Sequence, residues 1–285
     1  MKLNAYAKLN LSLAITGRLA DGMHDLDMLM QNITLADELE IVPADKVSLQ
    51  CDGVAADERN TAVQAARLFF RMTGIRGGAR MTLKKNIPAQ AGLGGGSSDA
   101  GAVLNALNAL YGAGLSEQQM IDAAVQIGAD VPFFIRGGCM RARGIGELLT
   151  PAVNRCGFSY LLLKPQEGVP TGPAYAKYHE CPGRAPDIDA VAGALETGNR
   201  NAFFQAAGNS LQPAGIALCP PVDTVLQACM EYGADFAMMT GSGSCVFAVF
   251  PNEEKEERAF LAFSRRYPFC IKVHDTEKAY EVLER

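Results

Sequence analysis

"PAQAGLGGGSSDAGAVLNALNAL", residues 88–110, sets a glycine run directly against a segment whose apolar residues recur at helical spacing. Four of the five residues from Gly92 to Gly96 are glycine, and Ser97, Ser98 and Asp99 follow. Ala100, Val103, Leu104, Leu107, Leu110 and Tyr111 fall at i, i+3, i+4, i+7, i+10 and i+11, one face of a helix. The spacing predicts a helix opening near Ser97 or Ser98, with either serine as N-cap, Asp99 in the positive first turn and Gly112 as a left-handed C-cap. Upstream, residues 79–83 read as a short strand, so 92–96 is a strand-to-helix loop. Such a loop aims free N–H groups and a helix dipole at one point, and without Cβ atoms an anion can approach the backbone closely. Phosphate suits it, against the plainer reading of a flexible turn whose glycines supply positive φ. Neither common phosphate motif fits: the Walker lysine is absent, and G-x-G-x-x-G from Gly92 ends on Ser97.

The chain as a whole bounds the partners. Its 285 residues make one large or two ordinary domains, and 48% hydrophobic with 20% charged residues describe a soluble globular protein. A net charge of −5 with dispersed Lys and Arg argues against nucleic acid or a membrane as principal partner, so an anionic ligand must be bound locally. The eight cysteines show neither C-x-x-C pairs nor metal-ligand spacing and read as reduced, mostly buried thiols. The N-terminus lacks the apolar block of a signal peptide and no run reaches transmembrane length, which leads to the expectation of a cytoplasmic protein. Oligomeric state is not legible.

Residues 3–15 alternate, with Leu3, Ala5, Ala7, Leu9, Leu11 and Leu13 on one strand face and Asn4, Tyr6, Lys8, Asn10 and Ser12 on the other. A hairpin is expected at "GRLADG" (17–22), with further strand at 26–35, 37–42, 158–164 and 245–250. Helices are expected at 61–73, 116–127 (Ser116 as N-cap), 186–197, 199–208, 220–232, 253–266 and 275–283, and the Pro/Gly-rich 165–186 reads as a long loop. Strands and helices mix without a βαβ rhythm, so the fold class is α+β in two domains divided near residue 152.

Several residues carry candidate chemistry, each beside a plainer reading. Lys8 on its own reads as part of a solvated strand face. Asp130, in "GADVPFF", reads as the N-cap of a short helix, or as a general base if a lysine lies beside it. His24, just past a turn, reads as solvated. "TGSGSCVF" (240–247) reads equally as a tight turn or a second ligand loop, and Thr171 and Tyr175 sit in the Pro/Gly-rich loop.

Together these stretches resemble the GHMP kinase superfamily, whose signature loop begins P-x-x-x-G-L-G, here Pro88 to Ser98. "AYAKLNLSLAITGRLADGMHDLDMLMQNITLAD" (5–37), "PAQAGLGGGSSDA" (88–100), "GADVPFF" (128–134), "GIGELLTP" (144–151) and "TGSGSCVFAVF" (240–250) lie in the order of one branch of it. That branch phosphorylates the 2-hydroxyl of a cytidine-diphosphate methylerythritol in the non-mevalonate isoprenoid pathway. The resemblance implies a two-domain GHMP kinase fold: residues 1–152 as a ribosomal S5 domain 2-like unit with the ATP-phosphate loop, and 153–285 as a ferredoxin-like α+β unit. It implies ATP and Mg²⁺ as cofactors and a small-molecule acceptor as partner. By residue, it implies Asp130 as base with Lys8 as its partner. Asn60, Lys85 and the loop Pro88, Ala89, Gln90, Ala91, Gly92, Leu93, Gly94, Gly95, Gly96, Ser97 and Ser98 fall to ATP, with Ser98 a candidate magnesium ligand. Asn10, Met23, His24, Thr171, Tyr175, Gly241, Ser242 and Gly243 fall to the acceptor. The family usually carries Tyr where this chain has Met23, a thioether without a flat π-surface. Two other readings remain open, a GHMP kinase for another small alcohol and a non-catalytic nucleotide sensor built on the same fold.

Overall fold

Two long strands, β1 (Lys2–Arg18) and β2 (His24–Ala44), pair antiparallel and organise the chain. The computed structural model describes residues 1–20, 22–53 and 55–284, so Asp21 of the expected hairpin lies outside the described residues. One end of β2 pairs with β4 (Gly78–Lys84), which carries β3 (Ser48–Cys51) in parallel; its other end pairs with β5 (Cys139–Gly144), which carries β6 (Leu148–Pro151). α1 (Thr61–Thr73), α2 (Gly95–Leu110) and α3 (Glu117–Ala124) cover this sheet, and α4 (Phe133–Arg136) packs beside α2. Leu3, Leu39, Ile41 and Met81 meet Phe69, Val103, Leu104 and Leu107 in the core between sheet and helices.

A second sheet, in the order β10-β7-β9-β8, follows. It is built from β7 (Ser159–Lys164), β8 (Phe236–Met239), β9 (Val246–Val249) and β10 (Phe269–His274). Both of its faces are covered, which explains the unbroken apolar run in β7. Leu161 and Leu163 join Val246 and Ala248 against α9 (Pro221–Glu231) and α10 (Glu253–Phe263). Tyr160, Leu162 and Phe247 face Leu9, Leu11 and Leu29 of the first sheet, with α6 (Ile188–Thr197) and α7 (Arg200–Ala206) completing that layer. No helix of the described residues is long and apolar enough to cross a membrane.

Several expectations need correction. The polar face of β1 is not solvated, because Lys8, Asn10 and Ser12 are all buried: Lys8 meets Asp130, the Asn10 N–H bonds Thr240 Oγ1 and Ser12 Oγ bonds the Gly208 carbonyl. The strands expected at 26–35 and 37–42 are one continuous β2. Asp37, inside it, is fully buried and accepts hydrogen bonds from the N–H groups of Asn86 (2.6 Å) and Ile87 (2.8 Å). The helix expected at 275–283 is instead a strand, β11 (Tyr280–Glu284), on the open edge of β1; unpaired backbone groups there override the helical propensity of Glu, Lys and Leu. The last strand therefore belongs to the first sheet, although the division at 152 assigns it to the second unit. The 165–186 segment contains α5 (Thr171–Tyr178), whose Gly172 and Pro173 disguise it as loop, and α8 (Gln212–Leu218) also escaped the sequence reading. α2 opens at Gly95, earlier than the serines, with Gly94 at the N-cap. Asp130 does not cap α4, whose N-cap is Pro132. All eight cysteines are free thiols.

The chain crosses back to β1 at Asp275. Its carboxylate accepts hydrogen bonds from Tyr160 Oη (2.8 Å), Asn154 Nδ2 (3.0 Å) and the Phe158 N–H (3.2 Å), stitching the inter-sheet linker to the end of β10. Burial pushes this carboxyl up to about 6, with the three donors opposing. A raised carboxyl binds its proton more tightly in the native than in the unfolded chain, so its contribution to stability is lost as pH rises from about 4 through 6. Asp275→Asn lacks that loss. The melting temperature of the variant minus that of the native protein is expected to rise between pH 4 and 7; a flat difference would show that Asp275 ionises normally.

Candidate active site

Residues 88–97 leave β4 and wrap one wall of a cavity of about 840 Å³ that is floored by β1 and β2 and flanked by α5 and the 240–244 turn. Gly94, the α2 N-cap, has φ 71°, and a Cβ there would lie 2.8 Å from Phe134 Cζ and 3.1 Å from Lys8 Cγ. No side chain caps α2, so the N–H groups of its first turn, at Gly95, Gly96 and Ser97, face the cavity with the helix dipole behind them. That is an anion cradle. Ser98 is not part of its surface: its N–H bonds the Gly94 carbonyl (2.8 Å) and its hydroxyl donates to the Tyr6 carbonyl (2.7 Å).

Lys8 and Asp130 stand at one end of the cradle. Lys8 is 4% exposed, its Nζ lies 3.6 Å from Asp130 Oδ2 and it donates to Asn10 Oδ1. Its own N–H bonds the Leu93 carbonyl (3.1 Å), so the strand that carries the lysine is tied to the glycine loop. Burial lowers the Lys8 amine from its ordinary range, and the Asp130 carboxylate opposes that shift. Asp130 reaches the pair from the 128–132 turn, closed by Val131 N–H on the Gly128 carbonyl (3.1 Å).

The other end is aromatic. α5 brings Tyr175 to 5.0 Å, ring centre to ring centre, from His24, which stacks at 5.1 Å on His179. His24 is therefore not the solvated turn residue its sequence context implies. Burial, His179 and Arg18 all lower its pKa, and its buried Nε2 has no hydrogen-bond partner among the described residues. Burial foremost, with the charge of Asp130, pushes the Tyr175 phenol well above its ordinary range, so it stays protonated. Met23, 46% exposed, forms the lip. Thr171 Oγ1 lies 3.3 Å from Ser242 Oγ, and both line the cavity with Gly241, whereas Gly243 does not.

Nearer the mouth, Asn60 caps α1 by accepting the Ala62 N–H (2.9 Å), and Thr61 Oγ1 bonds the Gly96 carbonyl (2.7 Å). Lys85 Nζ bridges Asp37 and Asp99, the latter at 2.6 Å. Burial raises the Asp99 carboxyl, opposed by Lys85 and reinforced by Asp37, and its Oδ1 is buried without a partner. Asp99 and Arg59 line the cavity and were missed as site residues: Asp99 read as a helix-turn charge, and Arg59 was not singled out. Among the described residues no cluster of three His, Cys, Asp or Glu side chains could hold a metal on its own. Arg143 lies outside the cavity lining, 3.7 Å from Asp27.

Known proteins resemble this chain in sequence and fold. The GHMP kinases N terminal domain matches residues 60–138, and the GHMP kinases C terminal family matches 191–268. Proteins named 4-diphosphocytidyl-2-C-methyl-D-erythritol kinase are 37% identical in two bacteria. The one from Desulfitobacterium hafniense (strain Y51) aligns over 96% of this chain and 95% of its own length. The one from Geobacillus thermodenitrificans (strain NG80-2) aligns over 91% of each. A crystal structure of 4-(cytidine 5'-diphospho)-2C-methyl-D-erythritol kinase superposes with a TM-score of 0.82 at 35% identity, covering 96% of this chain and 99% of that one. A homoserine kinase from Cytophaga hutchinsonii shares the fold at 19% identity and a TM-score of 0.79, covering 99% of this chain and 97% of its own. The chain belongs to the GHMP kinases and, within them, to the family of 4-diphosphocytidyl-2-C-methyl-D-erythritol kinases. It is an ATP-dependent kinase of a small molecule.

Gly94→Ala tests the cradle. A left-handed alanine costs about 1–2 kcal/mol, and the new methyl presses on Phe134 and Lys8. Calorimetric titration with a non-hydrolysable ATP analogue is expected to show affinity reduced roughly tenfold; native affinity in a folded variant would remove the α2 N-terminus from nucleotide binding.

Proposed function

We propose that this chain transfers the γ-phosphoryl group of ATP to the 2-hydroxyl of 4-diphosphocytidyl-2-C-methyl-D-erythritol, with Asp130 as the base. The observation that carries this reading is the pairing of buried Lys8 with a partly exposed Asp130 at one end of a cradle built from backbone N–H groups. Phosphoryl transfer asks a protein for positioning and charge stabilisation more than for covalent chemistry, and these residues supply both. The N–H groups of Gly95, Gly96 and Ser97 hold phosphate oxygens at the positive end of the α2 dipole. Asp130 accepts the proton of the acceptor hydroxyl. Lys8, fixed by Asn10, offsets charge developing between donor and acceptor.

His24 and Tyr175 give the acceptor's cytidine end a stacking face and a polar handle, and Thr171, Ser242 and Gly241 line the way to Asp130. Asn60, Lys85 and Asp99 flank the nucleotide's other end. Magnesium shields the charge of the ATP phosphates when bound; of the loop hydroxyls, Ser97 is the one that lines the cavity and would reach it. Such an ion keeps several waters and needs only one or two protein oxygens, which agrees with a site lacking an acidic cluster. The proposed compartment is the cytoplasm. Met23 favours one further question, whether the cytidine is required at all.

Phosphorus NMR of the purified protein with Mg-ATP and the diphosphocytidyl acceptor is expected to show a new phosphomonoester, with cytidine-free methylerythritol a poor competitor. Asp130→Asn is expected to lower kcat by about 10²- to 10⁴-fold while sparing affinity for the ATP analogue. An unchanged kcat would take Asp130 out of the mechanism. ATP binding with no phosphomonoester would redirect the assignment to another small alcohol.

A further inference from the structure

Gln90 is the one non-glycine with positive φ among the described residues, at 52°. A left-handed non-glycine costs of the order of 1 kcal/mol or more and persists only where its surroundings over-determine it. Here they do. Turned this way, the Gln90 carbonyl accepts two backbone N–H groups at once, from Val169 (3.1 Å) and from Ser244 (3.1 Å), and the next carbonyl, Ala91, accepts the Cys245 N–H (3.2 Å). The phosphate loop, the loop leading into α5 and the 240–244 turn therefore meet at one carbonyl.

The loop leading into α5 is held from behind by a lysine outside the cavity lining. Lys164 is 7% exposed and donates to three consecutive carbonyls, Pro165 (3.0 Å), Gln166 (3.3 Å) and Glu167 (3.2 Å). A buried ammonium is costly unless its protons are all engaged, and three carbonyls engage all three. Turning those carbonyls inward fixes the loop's course. The Glu167 carbonyl then also accepts Ser244 Oγ (2.6 Å), and Gly168 lies flat on Gln90, where a Cβ would come within 2.6 Å of Gln90 Cβ and 3.1 Å of its carbonyl oxygen. Two residues beyond Val169 stands Thr171, the first residue of α5, and Tyr175 follows on the same helix.

We propose that Lys164 is a positioning residue that clamps the 165–169 loop onto the Gln90 carbonyl, so that the nucleotide and acceptor sites share one joint and each ligand tightens the other. This rests on the reading of the cavity as a combined nucleotide and acceptor site. A rigid joint passes a shift imposed by one ligand to the walls of the other's site, and the coupling is reciprocal by thermodynamic necessity.

The test uses two substitutions that attack the joint from opposite sides. Lys164→Met removes the three donors, and Gly168→Ala pushes the loop off Gln90. Calorimetry with a non-hydrolysable ATP analogue and with cytidine diphosphate, each alone and in the presence of the other, is expected to show three things. Both variants bind both probes about 5- to 10-fold more weakly, the mutual enhancement seen in the native protein disappears, and Lys164→Arg restores it. Should Lys164→Met fail to fold, Gly168→Ala decides. Weakening of the cytidine probe alone, or native affinities in both variants, overturns the proposal. If the native protein binds the ATP analogue but not cytidine diphosphate, the acceptor assignment has failed instead, and the joint is then judged on nucleotide affinity: unchanged values in both variants overturn it.

Discussion

A helix that begins without a cap has four N–H groups to satisfy, and among the described residues no side chain caps α2. The rest of the structure is arranged around keeping this end bare and in place. The Lys8 N–H on Leu93 and Ser98 Oγ on Tyr6 pin the loop to β1 from within the first sheet. From the second sheet, Ser244 and Cys245 pin it through Gln90 and Ala91. A side chain at Gly92 would run into the Thr240 carbonyl, so the 240–244 turn can sit directly against the loop only because that position is bare. The cradle is thus held by backbone bonds from both sheets, which agrees with a site that must bind phosphate without collapsing onto itself.

Around that bare end the molecule buries charge in two groups with different tasks. Lys8 is nearly inaccessible and its single carboxylate partner is partly exposed, so the pair is lopsided: the cation is fixed and the anion can reach a ligand. Lys85 is shared between Asp37 and Asp99, and Asp37 additionally holds the N–H groups of Asn86 and Ile87 at the start of the loop. The first group faces the reacting end of the cavity. The second braces the entry and exit of the loop while leaving one oxygen of Asp99 without a partner.

The loop and its helix were legible because glycine density and a 3.6-residue apolar period are local signals, and α1 and α3 were found on the same grounds. What escaped depends on contacts distant in sequence. Nothing local says that the polar face of β1 is covered, that 26–35 and 37–42 run on as one strand, or that a Glu- and Lys-rich tail closes the edge of the first sheet. The candidate site divides the same way. Lys8, Asp130, His24 and Tyr175 were singled out through family resemblance, since their spacing does not reveal that they meet. Ser98 looked like a loop hydroxyl and is turned to Tyr6, while Asp99, one residue on, lines the cavity.

The measurement that bears most directly on the central claim is a crystal structure of the protein with a non-hydrolysable ATP analogue and the diphosphocytidyl acceptor bound together. The account predicts terminal phosphate oxygens on the N–H groups of residues 95–97, and the acceptor 2-hydroxyl at about 2.6–3.2 Å from an Asp130 carboxylate oxygen. It also predicts the cytosine against His24 and Tyr175. Phosphates seated away from the α2 N-terminus, or an acceptor whose nearest hydroxyl points at a group other than Asp130, would contradict it.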